Sequence, residues 1–449
     1  MKALIKRRDP DIRIVRERPC DDRLDCLGAC AMTASSSLAA KQRPEFLVAL
    51  ALAAGPVVAL GFTRFAYALL LPAMREKLHW SYAAAGGMNT ANALGYIIGA
   101  ATAAWWSRRF GSRKAFVWGI VISALALLAS GATDNFAGLT VLRFIGGLST
   151  AVTFVVGSAL ASRVHSGGQQ ARSASLVGMY MAGVGIGVVL SGLVVPAALT
   201  AWGASGWQAG WLLMGLLALL AIGPAAWAAR QVPEQATSGA AHNGRTGLKP
   251  LTPLFVWYVL FGAGYVSYMT FVIALLHSQG MKVWGTGTFF IVLGVASAAA
   301  TLLVWGRVIG RLRGGRAPAL VSVVVLIGVL PVLLWHGMGA AIASAIIFGG
   351  SFMAGPTAVT VLARRMLPAH AWTLGIALLT VAFSVGQAVG PLISGLLSDS
   401  SGGIAKGLWL SVVLLAISAA VALIQRERTA EHHHQEATTA APAPSAVQR

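Results

Sequence analysis

The segment Gly183-Val184-Gly185-Ile186-Gly187-Val188-Val189-Leu190-Ser191-Gly192-Leu193 returns about 203 residues later as Gly386-Gln387-Ala388-Val389-Gly390-Pro391-Leu392-Ile393-Ser394-Gly395-Leu396. Both copies place Gly, Gly and Ser at four-residue intervals and close on Gly-Leu. Residues four apart share one face of a helix, so each copy offers a stripe of small side chains on which another helix can pack closely. The same offset pairs Gly61-Phe62-Thr63-Arg64-Phe65 with Gly264-Tyr265-Val266-Ser267-Tyr268. It also pairs Arg108, Gly111 and Arg113 with Arg311, Gly314 and Arg316, and Gly146-Gly147 with Gly349-Gly350. Leu160-Ala161 and Leu362-Ala363 match almost in register. Matches in this order at a near-constant offset mark a chain built as two copies of one unit.

Each unit is made for lipid. Apolar residues form 57% of the chain and charged residues 11%, against about 25% charged in soluble domains, so too few ions are present to cover a water-facing surface. The apolar residues lie in long blocks, each able to cross a hydrocarbon core of roughly 30 Å as a helix. Barrel strands would be shorter and alternating. The spans read as 46–71, 83–106, 115–133, 137–162, 174–199, 207–229, 252–276, 285–306, 317–336, 340–363, 372–397 and 404–424. The expected fold is all-α, with twelve transmembrane helices in two six-helix pseudo-repeats. The expected division is a basic arm over 1–45, bundles over 46–229 and 252–424, a linker over 230–251 and a polar tail over 425–449. Parallel repeats of this kind imply two bundles facing each other across a cavity near the midplane.

The net charge of +20 is a topology signal. With both termini inside, cytoplasmic segments hold 28 Lys/Arg, whereas the outside loops hold four: Arg75, Lys77, Lys282 and Lys406. That asymmetry places both termini and the linker in the cytoplasm of a bacterial inner membrane and removes the case for a nucleic-acid partner. Cys20, Cys26 and Cys30 precede the first span and match no common zinc or redox spacing. Met32 opens a short polar leader, so residues 1–31 are expected to be dispensable. The His432–His434 run reads as part of a solvated tail.

Five stretches carry a family resemblance. Arg108-Arg109-Phe110-Gly111-Ser112-Arg113-Lys114 resembles the basic loop after the second helix of the major facilitator superfamily, with Arg108 where an acid is usual. Arg143-x3-Gly147-x3-Ala151 resembles that superfamily's fourth-helix motif. The Gly183, Gly187, Gly192 run resembles the fifth-helix motif of exporters. It lacks their Gly-Pro pair, which stands instead at Gly390-Pro391 in the repeat partner. Gly61 to Met74, with Asn89-Thr90-Ala91-Asn92-Ala93-Leu94-Gly95-Tyr96, looks like the YbfB/YjiJ-type branch. The resemblance implies a secondary transporter working by alternating access, with Arg108, Gly111, Arg113, Arg311, Gly314 and Arg316 in gating loops. Gly183, Gly187, Gly192, Gly386, Gly390, Pro391 and Gly395 are expected at helix packing seams.

No Asp or Glu falls inside a span, and Arg64 and Arg143 are the two embedded charges. A central cation costs roughly 2.5–3.5 kcal/mol on insertion scales. With no embedded acid to pair with, these arginines must meet water, backbone carbonyls or an anionic ligand. Arginine suits bidentate capture of a carboxylate or phosphate. Asn89, Asn92 and Tyr96 form a polar stripe on one face of span two, and Tyr67 lies one turn from Arg64. The candidate substrate site is therefore Arg64, Tyr67, Asn89, Asn92, Arg143, Tyr265, Tyr268 and Gln387.

The leading expectation is a monomeric carrier of a small organic anion across the bilayer. A coupling ion is expected with it. A proton is compatible, with His277 and His336 near span ends the nearest titratable groups. The alternative is export of hydrophobic neutral or cationic compounds. A membrane-embedded enzyme or sensor is the reading from a different class. No catalytic cluster, metal site or cofactor motif supports it, and no nucleotide-binding loop suggests ATP drive.

Overall fold

The computed structural model describes residues 45–164, 170–234, 249–367 and 372–426. Expectations for residues 1–44, for the linker positions 235–248 and for the tail from 427, including Cys20, Cys26, Cys30, Met32 and His432–His434, lie outside the described residues.

The chain is all-α, and its helices follow the apolar blocks. They are α1 (Glu45–Leu78), α2 (Tyr82–Phe110), α3 (Ser112–Gly131), α4 (Phe136–Ala161), α5 (Gln170–Trp202) and α6 (Gly206–Gln231). The second half supplies α7 (Thr252–Ser278), α8 (Val283–Leu303), α9 (Arg316–Leu334), α10 (Met338–Met366), α11 (Trp372–Ser398) and α12 (Gly403–Ile424). Among the described residues, eleven helices are long and apolar enough to cross a membrane by length and composition. The twelfth, α2, has the length, but Asn89, Thr90, Asn92 and its glycines dilute its hydropathy. Large apolar side chains face outward, with Trp118, Leu220, Leu303 and Leu423 each more than half exposed. A water-soluble surface would not tolerate so continuous an apolar belt.

Local chemistry sets the helix ends. Ser81 caps α2 by accepting from the Ala84 amide, and Asn135 caps α4 by accepting from Gly138. Capping side chains satisfy amides that have no partner within the helix. The narrow gap between the ninth and tenth spans is a tight turn: α9 stops at Leu334, Gly337 takes φ 101°, and α10 begins at Met338. Only glycine adopts that φ without strain.

The repeat is also a repeat of contacts. Gly183 and Gly187 of α5 press on the α1 backbone at Ala53 and Val57, and Gly386 and Gly390 of α11 press equally on α7 at Val259 and Ala263. Gly147 of α4 abuts the Asn92 carbonyl of α2, while Gly349 of α10 abuts the Leu293 carbonyl of α8. One turn on, the stripes turn to the opposite half: Gly192 packs on Gly287 of α8, and Gly395 packs on Tyr82 of α2. A side chain at these positions would collide with backbone, which cannot yield as a side chain can. The small residues therefore set how closely the helices approach, in each half and between halves.

Two spans depart from simple α-helix. Residues Val57–Phe65 of α1 form a π-helix, and α1 runs on to Leu78 with Pro72 inside it. Arg64 therefore lies near the middle of its helix, deeper than a span ending at residue 71 implied. Helix α10 breaks between Gly349 and Ala354, and the indole of Trp305 takes the freed Gly350 carbonyl at 2.5 Å.

Candidate functional site

The π-helix is the frame of the site. A π-turn widens the helix and is found mostly at functional positions. Here three of its carbonyls accept from neighbouring helices. Thr150 of α4 donates to Ala59 at 3.1 Å, Ser191 of α5 donates to Gly61 at 3.3 Å, and Arg143 of α4 donates to Thr63 at 2.5 Å. The Thr63 hydroxyl returns to the Val58 carbonyl five residues back.

Arg143 is thus held by its own half. Its guanidinium, on a residue 4% exposed, also donates to Asn89 Oδ1 at 3.2 Å. It lies over the rings of Tyr67 and Trp211, 4.7 and 5.6 Å from their centroids. The α4 backbone is fixed in turn, because Asn92 donates to the Arg143 carbonyl at 3.0 Å. Tyr67 is anchored by donating to the Ala85 carbonyl at 2.9 Å. Carbonyl and amide oxygens plus two aromatic faces stand in for the missing carboxylate.

Arg64 is treated differently. It is 6% exposed, yet among the described residues its guanidinium has no hydrogen-bond or ion-pair partner. It lies 5.4 Å from the centroid of the Tyr96 ring. It lines a small cavity between α1, α2 and α7 together with Phe65, Ala68, Asn89, Val266, Met269 and Thr270, with room for about one water molecule. Arg143 is close by, because Asn89, which lines this cavity, accepts its hydrogen bond. Two cations therefore share one low-dielectric region with no acid among its residues, a field that favours an anion.

The opposite wall belongs to the second half. Asn89 donates across the cavity to Thr270 at 2.6 Å. Gln387 donates to the Tyr265 hydroxyl at 2.5 Å, leaving its other amide atom buried without a partner. Of the eight residues singled out in the sequence, Arg64 and Asn89 line the cavity, Tyr67, Asn92 and Arg143 join it through the contacts of Arg143, and Tyr265 and Gln387 pair beside it in the second half. Tyr268 stands apart. Its hydroxyl pairs with Ser344 inside the second half, and its ring packs on Phe348. Trp211, Thr63 and Thr270 join the site without a sequence signal. A tryptophan in α6 and hydroxyls within apolar helices look like ordinary packing until their partners are placed. His277 and His336 are exposed, away from the cavity.

The loop residues divide. Arg113 donates twice to the Val232 carbonyl, at 3.1 and 2.7 Å. Gly111, at φ 86°, lets the Glu234 carboxylate approach its Cα, which brings an acid to the loop where Arg108 does not supply one. Arg108, Arg311 and Arg316 are exposed, and Gly314 takes φ 57°. At the opposite end of the bundle, Asp399 reaches from the end of α11 to the start of α2. Its two carboxylate oxygens accept from the Tyr82 and Ala83 amides, both at 2.8 Å. Close behind, Thr90 of α2 donates to the Ala388 carbonyl of α11 at 2.6 Å, and Gly86 abuts the Pro391 carbonyl. These contacts tie the halves together at that end.

Comparison with known proteins gives one consistent picture. Residues 56–423 match the family described as "Uncharacterised MFS-type transporter YbfB". A chloramphenicol resistance protein of Streptomyces lividans is 27% identical over 393 residues, covering 84% of this chain and 95% of that protein. Among solved structures, the D-xylose-proton symporter superposes with TM-score 0.65 at 15% identity, over 85% of this chain and 96% of that one. The nucleoside transporter NupG superposes with TM-score 0.63 at 13% identity, over 85% and 98%. A bacterial homolog of the human lysosomal transporter Spinster gives 0.64 at 15%, over 85% and 96%. At these identities the structural likeness is one of fold.

Proposed function

This chain belongs to the YbfB-type family of major facilitator transporters, and from that premise we propose that its solute is a small organic anion bound by Arg64. Membership makes it a multi-span membrane transporter of a solute. The observation that carries the anion reading is Arg64, a residue 6% exposed whose guanidinium faces the cavity between the halves without a hydrogen-bond partner among the described residues. A buried cation is tolerated when it is paired or solvated, and a bound carboxylate or phosphate would pair this one. The bundles 46–229 and 252–424 rock about the site on their glycine seams, joined by the 230–251 linker, in a monomer.

Arg64→Ala is the direct test. Loss of a charge-assisted hydrogen bond costs roughly 1.5–3 kcal/mol, about ten- to a hundredfold in affinity. The variant is expected to insert and express normally and to raise the apparent KM by that factor. Arg64→Lys keeps the charge without the planar fork and is expected to be intermediate. Transport unchanged in Arg64→Ala would overturn the reading.

The Streptomyces lividans relative supports a second reading, export of apolar compounds such as the one in that protein's name. On that reading, expression protects a sensitised strain from chloramphenicol, and Arg64→Ala protects equally.

The 28-to-four distribution of Lys and Arg supports a bacterial inner membrane with both termini and the linker cytoplasmic. With Cys20, Cys26 and Cys30 replaced by serine, Ser238→Cys is expected to resist an impermeant maleimide in intact cells and to react once the membrane is opened. Labelling in intact cells would reverse the orientation.

A further inference from the structure

Beside the cavity, which the second half lines with Val266, Met269 and Thr270, stands a wall of ordered rings. Tyr265 of α7 stacks on Phe383 of α11, with centroids 5.6 Å apart and planes within 8°. It also stacks on Phe352 of α10, at 5.9 Å and 28°. One ring from the first half reaches this wall. Phe65, next to Arg64 in the chain, meets Phe352 edge-on at 5.7 Å and 84°.

Both partners in that contact sit on irregular backbone. Phe65 closes the π-segment of α1, and Phe352 lies in the break of α10. Broken helices at mid-membrane are tolerated where they line a cavity or are buried in protein, and they recur at transporter binding sites. The Phe65–Phe352 contact joins the two breaks across the interface of the halves. Parting the halves would separate these two rings and leave a flat slot between an aromatic edge and an aromatic face. Arg64 stands at its rim, and Tyr265 at its back presents a hydroxyl already bound by Gln387. The amide of Gln387 keeps one polar atom free whichever way it is turned.

We propose that the solute is an aromatic carboxylate, its ring seated between Phe65 and the Phe352–Tyr265 wall and its carboxylate on Arg64. The inference rests on the anion reading above and adds the class of the apolar body. A short aliphatic acid would satisfy Arg64 and leave the slot empty. A neutral aromatic would fill the slot and leave the cation unpaired. Offset and edge-to-face ring contacts favour a planar ring over an aliphatic chain of the same area.

The test is equilibrium binding to the full chain in lipid nanodiscs, using benzoate, its neutral amide benzamide, and butyrate. Benzoate is expected to bind at least tenfold tighter than either of the others. Phe352→Leu is expected to weaken benzoate roughly three- to tenfold and to leave butyrate unchanged, consistent with the loss of one ring contact. Phe65→Leu is expected to do the same from the other half, and the melting temperature without ligand checks that each variant is folded. Equal binding of benzoate and butyrate, or an unshifted benzoate constant in both folded variants, overturns the aromatic class while the anion reading stands. Equal binding of benzamide and benzoate overturns the anion reading itself. Absence of measurable benzoate binding overturns the proposal as well.

Discussion

Arg143→Ala is expected to destabilise the first half of the protein strongly, whereas Arg64→Ala leaves its stability nearly unchanged. The two arginines are nearly equally buried, at 4% and 6%, so burial does not separate them; partners do. Removing Arg143 strips the Thr63 carbonyl and Asn89 Oδ1 of the donor they share. It also opens a void against Tyr67 and Trp211. Each buried acceptor left bare costs about 1–3 kcal/mol, and a large-to-small change in a packed interior costs about 2–5 kcal/mol. The relief of a desolvated charge offsets part of this, leaving a net loss of about 3–5 kcal/mol against a total stability of about 5–15 kcal/mol. The expected readout is a chain that aggregates on extraction or melts well below the native protein. Arg143→Met refills much of the void and isolates the hydrogen-bond loss, so it should fall between the two. A native melting temperature for Arg143→Ala would show that this side chain is no brace and would move it to the ligand side of the cavity.

Asp399→Ala should loosen the tie between the halves at this end of the bundle. The carboxylate joins α11 of one half to the first amides of α2 in the other, where the helix dipole also favours negative charge. Asp399 is exposed, so water competes and the bonds are worth less than buried ones. A shift of about 1–2 kcal/mol remains reasonable, or roughly five- to thirtyfold in the ratio of open to closed molecules. Met269 is 3% exposed and lines the cavity, which makes Met269→Cys a reporter once the three native cysteines are replaced. Its reaction with an impermeant maleimide applied from the Asp399 end should quicken by that factor in the Asp399→Ala background. An unchanged rate would show that the glycine seam and Thr90 hold the end together unaided.

Much of the architecture was legible because it follows from composition and period. Apolar blocks of membrane length, a repeat offset and a basic-loop asymmetry survive without knowledge of any contact. The paired stripes Gly183/Gly187 and Gly386/Gly390 were readable as packing faces, since small residues at four-residue spacing have few other uses. The embedded arginines were readable as a problem, and the structure solves it in two ways. Arg143 is paired with oxygens and two rings, whereas Arg64 meets the Tyr96 ring and, among the described residues, no oxygen. No spacing rule separates those outcomes, because each depends on which carbonyls a neighbouring helix turns toward the side chain. The π-segment was hidden for the same reason. Val57 to Phe65 has an unremarkable helical composition, and its extra width is set by Arg143, Thr150 and Ser191 reaching in from α4 and α5. Asp399 read as a loop acid because its partners are backbone amides more than three hundred residues away, which carry no residue signature.

That last feature has a genetic corollary. The donors that meet Asp399 belong to the peptide chain and not to any side chain, so nearly every allele at positions 82 and 83 carries them unchanged. Proline alone deletes a backbone donor, and the two positions differ in how they would receive it. Tyr82 is the first helical residue, where proline is welcome. Ser81 before it already holds φ −69° and ψ 163°, the extended conformation that a following proline demands. At position 83 proline would press on Tyr82, which is helical. Among substitutions at positions 82 and 83, Tyr82→Pro should therefore be the one that removes an Asp399 donor while leaving the helix start intact.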